Sequence, residues 1–235
     1  LDEKINQITG LLPDPYFSGT KLSWLLEDTK TPKDFFMGTI DTFLVWKLTE
    51  GRSYSVDATN ASRTLLMDIN NVSWSEEMCN LLNIPIDRLP EIKNSADEYG
   101  ETSLFGGKIK ISGIAGDQQA ALIGQGCFKA GEAKSTYGTG CFMMLNTGPD
   151  VKLSKSKLLS TIGYQIDGKV SYALEGSIFM AGASVQWLRD NLEFFPSAPA
   201  IENSAKNSNK NSNVSFIPAF TGLGAPYWDP EARGA

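Results

Sequence analysis

The pattern of hydrophobic and polar positions divides the chain into a mostly helical first half and a second half that is richer in strands. Apolar residues spaced three or four apart predict helices, whereas alternating, β-branched stretches predict strands. Helices are predicted at residues 1–9, 18–28, 41–48, 74–82, 118–124 and 176–192. Strands are predicted at 108–114, 133–137, 141–146, 159–166, 169–174 and 214–218, and the last of these is expected to be buried.

Small polar residues mark where these elements begin and end. Gly10 and Gly51 are expected to end two helices, Ser18 to cap the second helix, and Ser73 or Ser75 to cap the fourth. Loops are predicted at 30–33, at the small-residue run 57–64, at the Asn-, Ser- and Lys-rich stretch 197–212, and at 219–234. The third loop is expected to be solvated or disordered, and the fourth to be ordered.

The order of the elements predicts an α/β fold. The Asp167-Gly168 pair is a strong turn signal for a hairpin between the strands at 159–166 and 169–174. The character of the chain changes near 124–131, so we expect one domain at 1–125 and a second at 126–235.

Charge and composition narrow the possible functions. The net charge is −6 with no cluster of Lys and Arg, which disfavours a general nucleic-acid surface. No apolar run approaches the ~18 residues typical of a membrane span. The chain has no histidine, which excludes Ser-His-Asp, Cys-His and histidine–metal chemistry. Any acid–base step must therefore use Asp, Glu, Lys, Tyr or Cys.

The three cysteines show no metal-binding spacing. Cys79, Cys127 and Cys141 are odd in number and widely separated. Buried thiols in a reducing compartment are the expected reading, which favours a cytoplasmic protein.

Two neighbouring features raise phosphoryl transfer as a hypothesis. Asp117 lies between a predicted strand and a predicted helix, where functional groups of α/β folds often lie. It can serve as a base for an acceptor hydroxyl, or it can simply cap the helix. The Gly138-Thr139-Gly140 turn can hold phosphate with backbone N–H groups, or it can be an ordinary tight turn. No P-loop and no Rossmann motif accompanies them.

Two further features also have two interpretations. The small residues around Gly182 permit close backbone approach, either to a ligand or between a helix and a sheet. Tyr16 lies just before a predicted helix, where it can be a packing aromatic or a ligand contact.

Several segments, taken in order, resemble the FGGY carbohydrate kinases, which share the actin-like sugar-kinase fold. The matching segments are 14–21, 59–64, 111–122, 137–143, 179–190 and 220–230. The first, second and last are more similar to the glycerol-phosphorylating members than to those that act on pentuloses or gluconate. The resemblance implies two actin-like (ribonuclease H-like) domains, each only partly present, with the polyol on the side of 1–125 and the nucleotide on the side of 126–235.

The resemblance also implies an activity and a set of site residues. The activity is ATP-dependent phosphorylation of a terminal hydroxyl of glycerol, giving glycerol 3-phosphate, with Mg²⁺ accompanying ATP and a homodimer or homotetramer as the possible assembly. By matching motif positions, Asp117 is the expected catalytic base, and no side chain is assigned as a direct metal ligand. The expected glycerol contacts are Tyr16, Asp117, Gln118 and Phe142, and the expected nucleotide contacts are Gly138, Thr139, Gly182 and Gln186.

The chain also departs from the family pattern. The family's N-terminal phosphate hairpin and Arg-Glu pair and its C-terminal Gly-Gly turn have no counterpart, so we expect residues 1–235 alone to be inactive. The loop at 104–108 lacks the arginine of the family's fructose 1,6-bisphosphate site, so that site is not expected here. Two alternatives stay open: another sugar or polyol kinase of the family, and a non-catalytic, actin-like nucleotide-binding module.

Overall fold

The computed structural model describes residues 1–28 and 35–235. The polar loop predicted at 30–33 lies outside the described residues. The helices are α1 (Asp2–Thr9), α2 (Ser18–Glu27), α3 (Ile40–Leu48), α4 (Ala58–Ala61), α5 (Glu76–Leu81), α6 (Asp117–Gly124), α7 (Gly182–Asp190) and α8 (Ala200–Lys206), with a 3₁₀ turn at Ile86–Arg88. Within the described ranges, no helix is long and apolar enough to cross a membrane.

The strands form one large sheet and two small ones. They are β1 (Ser55–Asp57), β2 (Met67–Asp68), β3 (Ser73–Trp74), β4 (Glu91–Lys93), β5 (Ala96–Thr102), β6 (Ile109–Gly113), β7 (Ala133–Tyr137), β8 (Cys141–Gly148), β9 (Leu159–Ile166) and β10 (Lys169–Ile178). The large sheet has the order β6-β5-β9-β10-β8-β7, and β1 pairs with β4 and β2 with β3. The α/β prediction is therefore confirmed.

The large sheet takes strands from both sides of the predicted domain boundary. Strands β5 and β6 precede residue 125 and the other four follow it, and β5 meets β9 in parallel at Ala96 and Ile166. Ser160 N also donates to Gly10 O at 2.8 Å. These contacts join the two parts of the chain, and the division at 125 stays a prediction.

The core of the sheet lies beneath α4 and α6. Leu122 of α6 packs with Met144 and Ala173 of the sheet, and Ile162 packs with Ala58 and Ala61 of α4. All three cysteines are free and buried, as the sequence predicted.

Local turn chemistry explains several boundaries that the sequence predicted correctly. Gly10 ends α1 in the left-handed region with φ 75°, where a side chain would be strained. Asp167 and Gly168 have φ of 51° and 73°, which suits the two-residue hairpin turn between β9 and β10. Ser75 caps α5 by accepting from Met78 N.

Some predicted boundaries are wrong near the start of the chain. Ser18 is the first residue of α2 rather than its cap, and the N-cap position is taken by Phe17. The predicted loop at 57–64 contains α4, because buried Asp57 accepts from the backbone N–H groups of Thr59 and Asn60 and so starts a short helix. Trp74 belongs to β3 rather than to α5.

Other predictions are wrong in the second half of the chain, because strand pairing and solvent exposure outweigh the local hydrophobic pattern. The helix predicted from Gly176 begins at Gly182, since β10 continues along β8 as far as the Ile178–Cys141 pair. The stretch 197–212 contains the exposed helix α8. Residues 214–218 are neither a strand nor buried, with Val214 86% exposed. Residues 219–234 form an ordered loop that closes on itself through an Ala219–Gly234 bridge.

Candidate active site

Asp117 stands at the start of α6, directly after β6. Gly116 is the N-cap residue, and its N–H donates to Thr59 Oγ1 at 2.8 Å, which anchors the turn to α4. Asp117 is the first residue of α6. It is exposed, and its Oδ2 accepts from Gln118 Nε2 at 3.1 Å. Because it is exposed at the start of α6, this carboxylate is accessible to a bound hydroxyl.

Lys134 connects α6 to the hairpin formed by β7 and β8. Its Nζ donates to Gln118 Oε1, to Thr136 Oγ1 at 3.1 Å and to Phe142 O at 3.3 Å. The residue is only 4% exposed. Burial lowers the pKa of its ammonium group, while the negative charges of Glu175 and Asp117 act in the opposite direction. Lys134 therefore fixes Gln118 beside Phe142.

Tyr16 faces the same group of charges. Its side chain is 50% exposed, and its ring meets Phe17 edge to face at 5.3 Å. Desolvation raises the pKa of the Tyr16 hydroxyl, Arg63 lowers it, and Glu175 and Asp117 raise it. The hydroxyl is therefore protonated at neutral pH and can act as a hydrogen-bond donor.

Arg63 and Glu175 form an ion pair between α4's C-terminal side and β10. Arg63 Nη2 lies 2.9 Å from Glu175 Oε1, which also accepts from Ser177 Oγ at 2.8 Å. The Arg63 guanidinium also lies over the ring of Phe17, with 5.3 Å between its Cζ and the ring centroid. The pair thus touches the segment that carries Tyr16.

The turn at residues 138–140 docks onto the start of α7. Ala181 N and Ala183 N donate to Thr139 O at 2.8 and 3.2 Å, and Gly182 N donates to Gly138 O at 2.9 Å. A Cβ atom at Gly182 would lie 2.5 Å from Gly138 O, so this close approach requires glycine. Since these N–H groups of α7 are already used, phosphate oxygens at the turn must find other donors, such as the exposed Thr139 hydroxyl.

The site residues predicted from the sequence form two groups, one beside the body of the β7–β8 hairpin and one at its turn. Asp117 and Gln118 lie with Tyr16 and Phe142 around Lys134, Arg63 and Glu175 at the body of the hairpin. Gly138, Thr139 and Gly182 meet at its turn, two residues before Phe142. Gln186 is exposed on α7, four residues after Gly182 and so on the same helix face.

Comparisons with known proteins reveal the family. The N-terminal domain of the FGGY family of carbohydrate kinases matches residues 1–124, and the C-terminal domain of that family matches residues 133–235. The chain belongs to the FGGY carbohydrate kinases. The fold prediction is confirmed by the similarity to solved sugar kinases, including gluconate kinase from Lactobacillus acidophilus at 22% identity and a TM-score of 0.86.

Several relatives of this FGGY chain share the name glycerol kinase. Glycerol kinases of Sinorhizobium fredii and Rhizobium meliloti are each 55% identical over 243 aligned residues, covering 100% of this chain and 49% of the relative. The crystal structure of Plasmodium falciparum glycerol kinase with ADP matches with a TM-score of 0.89 at 40% identity, covering 99% of this chain and 48% of that one. The chain thus spans about half the length of the relatives it matches.

Three residues of the site were not predicted from the FGGY resemblance. Arg63 lies inside the matching segment 59–64, so its position was available, but nothing in the sequence indicated its partner. Lys134 lies within the strand predicted at 133–137 and Glu175 directly follows the strand predicted at 169–174, and charged residues are rarely buried in strands. That incompatibility with a buried strand was the signal that could have pointed to them.

Carboxylates for a metal are few in the described part of the site. No group of three or more Asp, Glu, Cys or His side chains that could hold a metal ion occurs among residues 1–28 and 35–235. Glu175 is occupied by Arg63 and Ser177, whereas the Asp117 carboxylate is exposed. Mg²⁺ keeps several waters and is commonly held largely by substrate phosphates, so a site with one exposed carboxylate is compatible with a metal that arrives bound to ATP.

Proposed function

We propose that the whole protein containing this chain transfers the γ-phosphoryl group of ATP to a terminal hydroxyl of glycerol, giving glycerol 3-phosphate and ADP. The observation that carries the proposal is that Asp117, Gln118 and Tyr16 lie close to the β7–β8 hairpin, which carries Phe142 and the 138–140 turn. The name shared by the 55%-identical relatives supports glycerol as the acceptor.

The proposed step uses the exposed carboxylate as base. Asp117 accepts the proton of the attacking hydroxyl, whose oxygen forms a bond to the γ-phosphorus as the bond to the β–γ bridging oxygen breaks. Tyr16 and Gln118 hold the remaining hydroxyls, and the ring of Phe142 lies against the carbon chain. Positioning and charge stabilisation supply most of the rate in phosphoryl transfer, so these contacts matter as much as the base.

The nucleotide is proposed to lie at the turn and the start of α7. The Thr139 hydroxyl contacts phosphate, Gly138 and Gly182 permit close approach, and Gln186 contacts the nucleoside. Mg²⁺, when bound, neutralises charge on the ATP phosphates; Asp117 serves as the base, and no side chain is assigned as a direct metal ligand. The free thiols suit a reducing compartment, so a cytoplasmic location is part of the proposal, as is assembly into a homodimer or homotetramer, which light scattering would test.

The decisive variant is Asp117→Asn in the whole protein. We expect the rate of glycerol phosphorylation to fall by about 10²–10⁴-fold, the range typical of a lost general base. Calorimetry with glycerol should still detect binding, because the amide keeps a similar shape. Asp167→Asn is the matched control, since Asp167 lies exposed in the β9–β10 turn and Asn also tolerates positive φ there.

A substrate panel tests the rest of the proposal. Glycerol should give a higher kcat/KM than xylulose or gluconate. A preference for either of these would identify a different sugar kinase, and nucleotide binding without any polyol-dependent turnover would identify a non-catalytic module. Near-normal turnover in the Asp117→Asn variant would remove Asp117 from the mechanism.

A further inference from the structure

A buried carboxylate lies behind the candidate polyol site and has no role in the proposed chemistry. Glu175 is 1% exposed in the middle of β10, and one of its oxygens accepts from both Arg63 and Ser177. A buried charge is costly unless it is paired and hydrogen-bonded. The Glu175 carboxylate is accordingly met by a cation and a hydroxyl donor.

Strand register places a second cation in the same row. Met144 of β8 pairs with Glu175 on one side and with Lys134 on the other, so the three side chains lie on one face of the sheet. Adjacent strands lie about 4.8 Å apart, so a long lysine side chain spans much of the separation. All three residues are at most 4% exposed, which makes this a buried row with opposite charges at its ends.

The two cations reach different substrate-contact residues. Lys134 holds Gln118 Oε1, and Gln118 Nε2 in turn donates to the Asp117 carboxylate. Arg63 lies over Phe17 and, with Glu175, is close enough to affect the ionisation of the neighbouring Tyr16. Among the described residues, Arg63 Nη1 is buried without a hydrogen-bond partner, so the guanidinium is held by the ion pair of Nη2 with Glu175 and by the ring of Phe17.

We propose that Glu175 is a positioning residue for the polyol, which fixes Arg63 and Lys134 and through them orients Tyr16 and Gln118. The inference rests on the proposed function, because it assigns Tyr16 and Gln118 to the substrate. Stability alone is a poor reason for such a pair, since a buried ion pair often stabilises no more than well-packed apolar residues do. Its position between Arg63 and Lys134 instead suits a role in orienting the residues that contact the polyol.

The test is Glu175→Gln in the whole protein, assayed for KM and kcat with glycerol and with ATP. We expect the KM for glycerol to rise about tenfold, which corresponds to about 1.4 kcal/mol, while the KM for ATP changes by less than about twofold. Glu175→Asp keeps the charge and should restore part of the glycerol affinity. A merely structural role would not separate the two KM values or respond to the charge.

A double-mutant cycle with Arg63→Met adds a second readout. Because both residues are proposed to act through one contact, the double variant should raise the KM for glycerol by less than the product of the two single effects. If Glu175→Gln does not fold, Ser177→Ala removes one donor to the same carboxylate and should shift the KM for glycerol in the same direction by a smaller factor.

The outcomes separate this proposal from the proposed function. An unchanged KM for the polyol with a lowered Tm, or an equal rise in both KM values, would overturn the positioning role. If the wild-type protein prefers another polyol, the proposed function fails, and the same split is measured with that polyol. If the wild-type protein binds no polyol, both proposals fall.

Discussion

At the scale of single residues, the buried acids of this chain differ in how well they are partnered. Asp57 accepts from the backbone N–H groups of Thr59 and Asn60 and from Ser95 Oγ. Asp41, which is 8% exposed, accepts from Thr39 through one oxygen, while its Oδ2 is buried with no partner in the described part of the chain. Burial accordingly raises the pKa of the Asp41 carboxyl, an effect that the Thr39 hydrogen bond only partly opposes.

The substitution Asp41→Asn should stabilise the chain at neutral pH. The pKa of Asp41 is higher in the folded state than the ordinary value of 3.8. Protonated Asp41 therefore makes its full contribution to the free energy of unfolding below pH 3.8, and this contribution is lost as the pH rises through the folded-state pKa of Asp41. Removing the unpaired charge should add about 1 kcal/mol at pH 7, or about 2–4 °C in Tm.

Thermal unfolding of both forms as a function of pH measures this effect. The advantage of the Asn form should shrink as the pH falls through the folded pKa of Asp41. Asp167→Asn in the exposed turn serves as the control and should show no such trend. An advantage that grew at low pH would contradict the assignment.

At the scale of elements, the β7–β8 turn and the start of α7 form one interlocked unit. The carbonyl groups of Gly138 and Thr139 accept from three successive N–H groups at the start of α7. The backbones approach so closely that Gly182 has no room for a side chain. Any change in this contact should move the turn that we assign to the nucleotide.

The substitution Gly182→Ala should therefore weaken nucleotide binding. The added methyl group would clash with Gly138 O, and overpacking of this kind typically costs about 1–3 kcal/mol. Calorimetry of the whole protein should show ADP affinity reduced by about tenfold or more. Gly107→Ala is the control, because a Cβ atom at Gly107 meets nothing within 4 Å. Equal ADP affinities in the two variants would count against the nucleotide assignment.

The strands were predictable where turn chemistry specified them. Strands β7 and β9 have the predicted bounds, and Asp167-Gly168 supplies the backbone conformation that the hairpin needs. The extent of β10 was not predictable from its own residues, since pairing with β8 carries it past Gly176 to Ile178. Similarly, residues 214–218 have the composition of a strand but pair with no strand in the described chain.

At the scale of the whole molecule, contacts between distant segments join the two halves of the chain. Tyr172 Oη donates to Ile69 O at 3.0 Å, and Ser62 Oγ and Thr161 Oγ1 share a buried hydrogen bond at 2.9 Å. Together with the shared sheet, these contacts indicate that the described halves stabilise each other. Unfolding should then be cooperative across the sheet.

The substitution Tyr172→Phe should lower the stability of both halves together. It leaves the buried Ile69 carbonyl without its partner, which costs about 1–3 kcal/mol. Urea unfolding followed by tryptophan fluorescence and by far-UV circular dichroism should shift to a lower midpoint with both signals coincident. Tyr227→Phe, at an exposed position, should leave the midpoint unchanged. Two separated transitions would show that the halves unfold independently.

The candidate site was only partly predictable, because some of its residues meet only through contacts between distant segments. Asp117 follows from its strand–turn–helix context, and the close approach at Gly182 follows from its small neighbours. Lys134 and Glu175, 41 residues apart along the chain, become neighbours only through the register of three strands. Local sequence carries no information on that register, so their pairing had to come from the structure.

The buried row of Lys134, Met144 and Glu175 has a consequence for how the chain avoids misfolding. If any one of the three strands slipped by a single residue, its member of the row would turn to the opposite face. A slip of β10 would separate Glu175 from Arg63, and a slip of β7 would take Lys134 out of the row, so either error would remove an opposite charge from a buried one, which is costly. The same charges that we assign to substrate orientation therefore favour the native strand register over slipped ones. A variant with both charges removed would lose this preference for the native register even if its native form were just as stable.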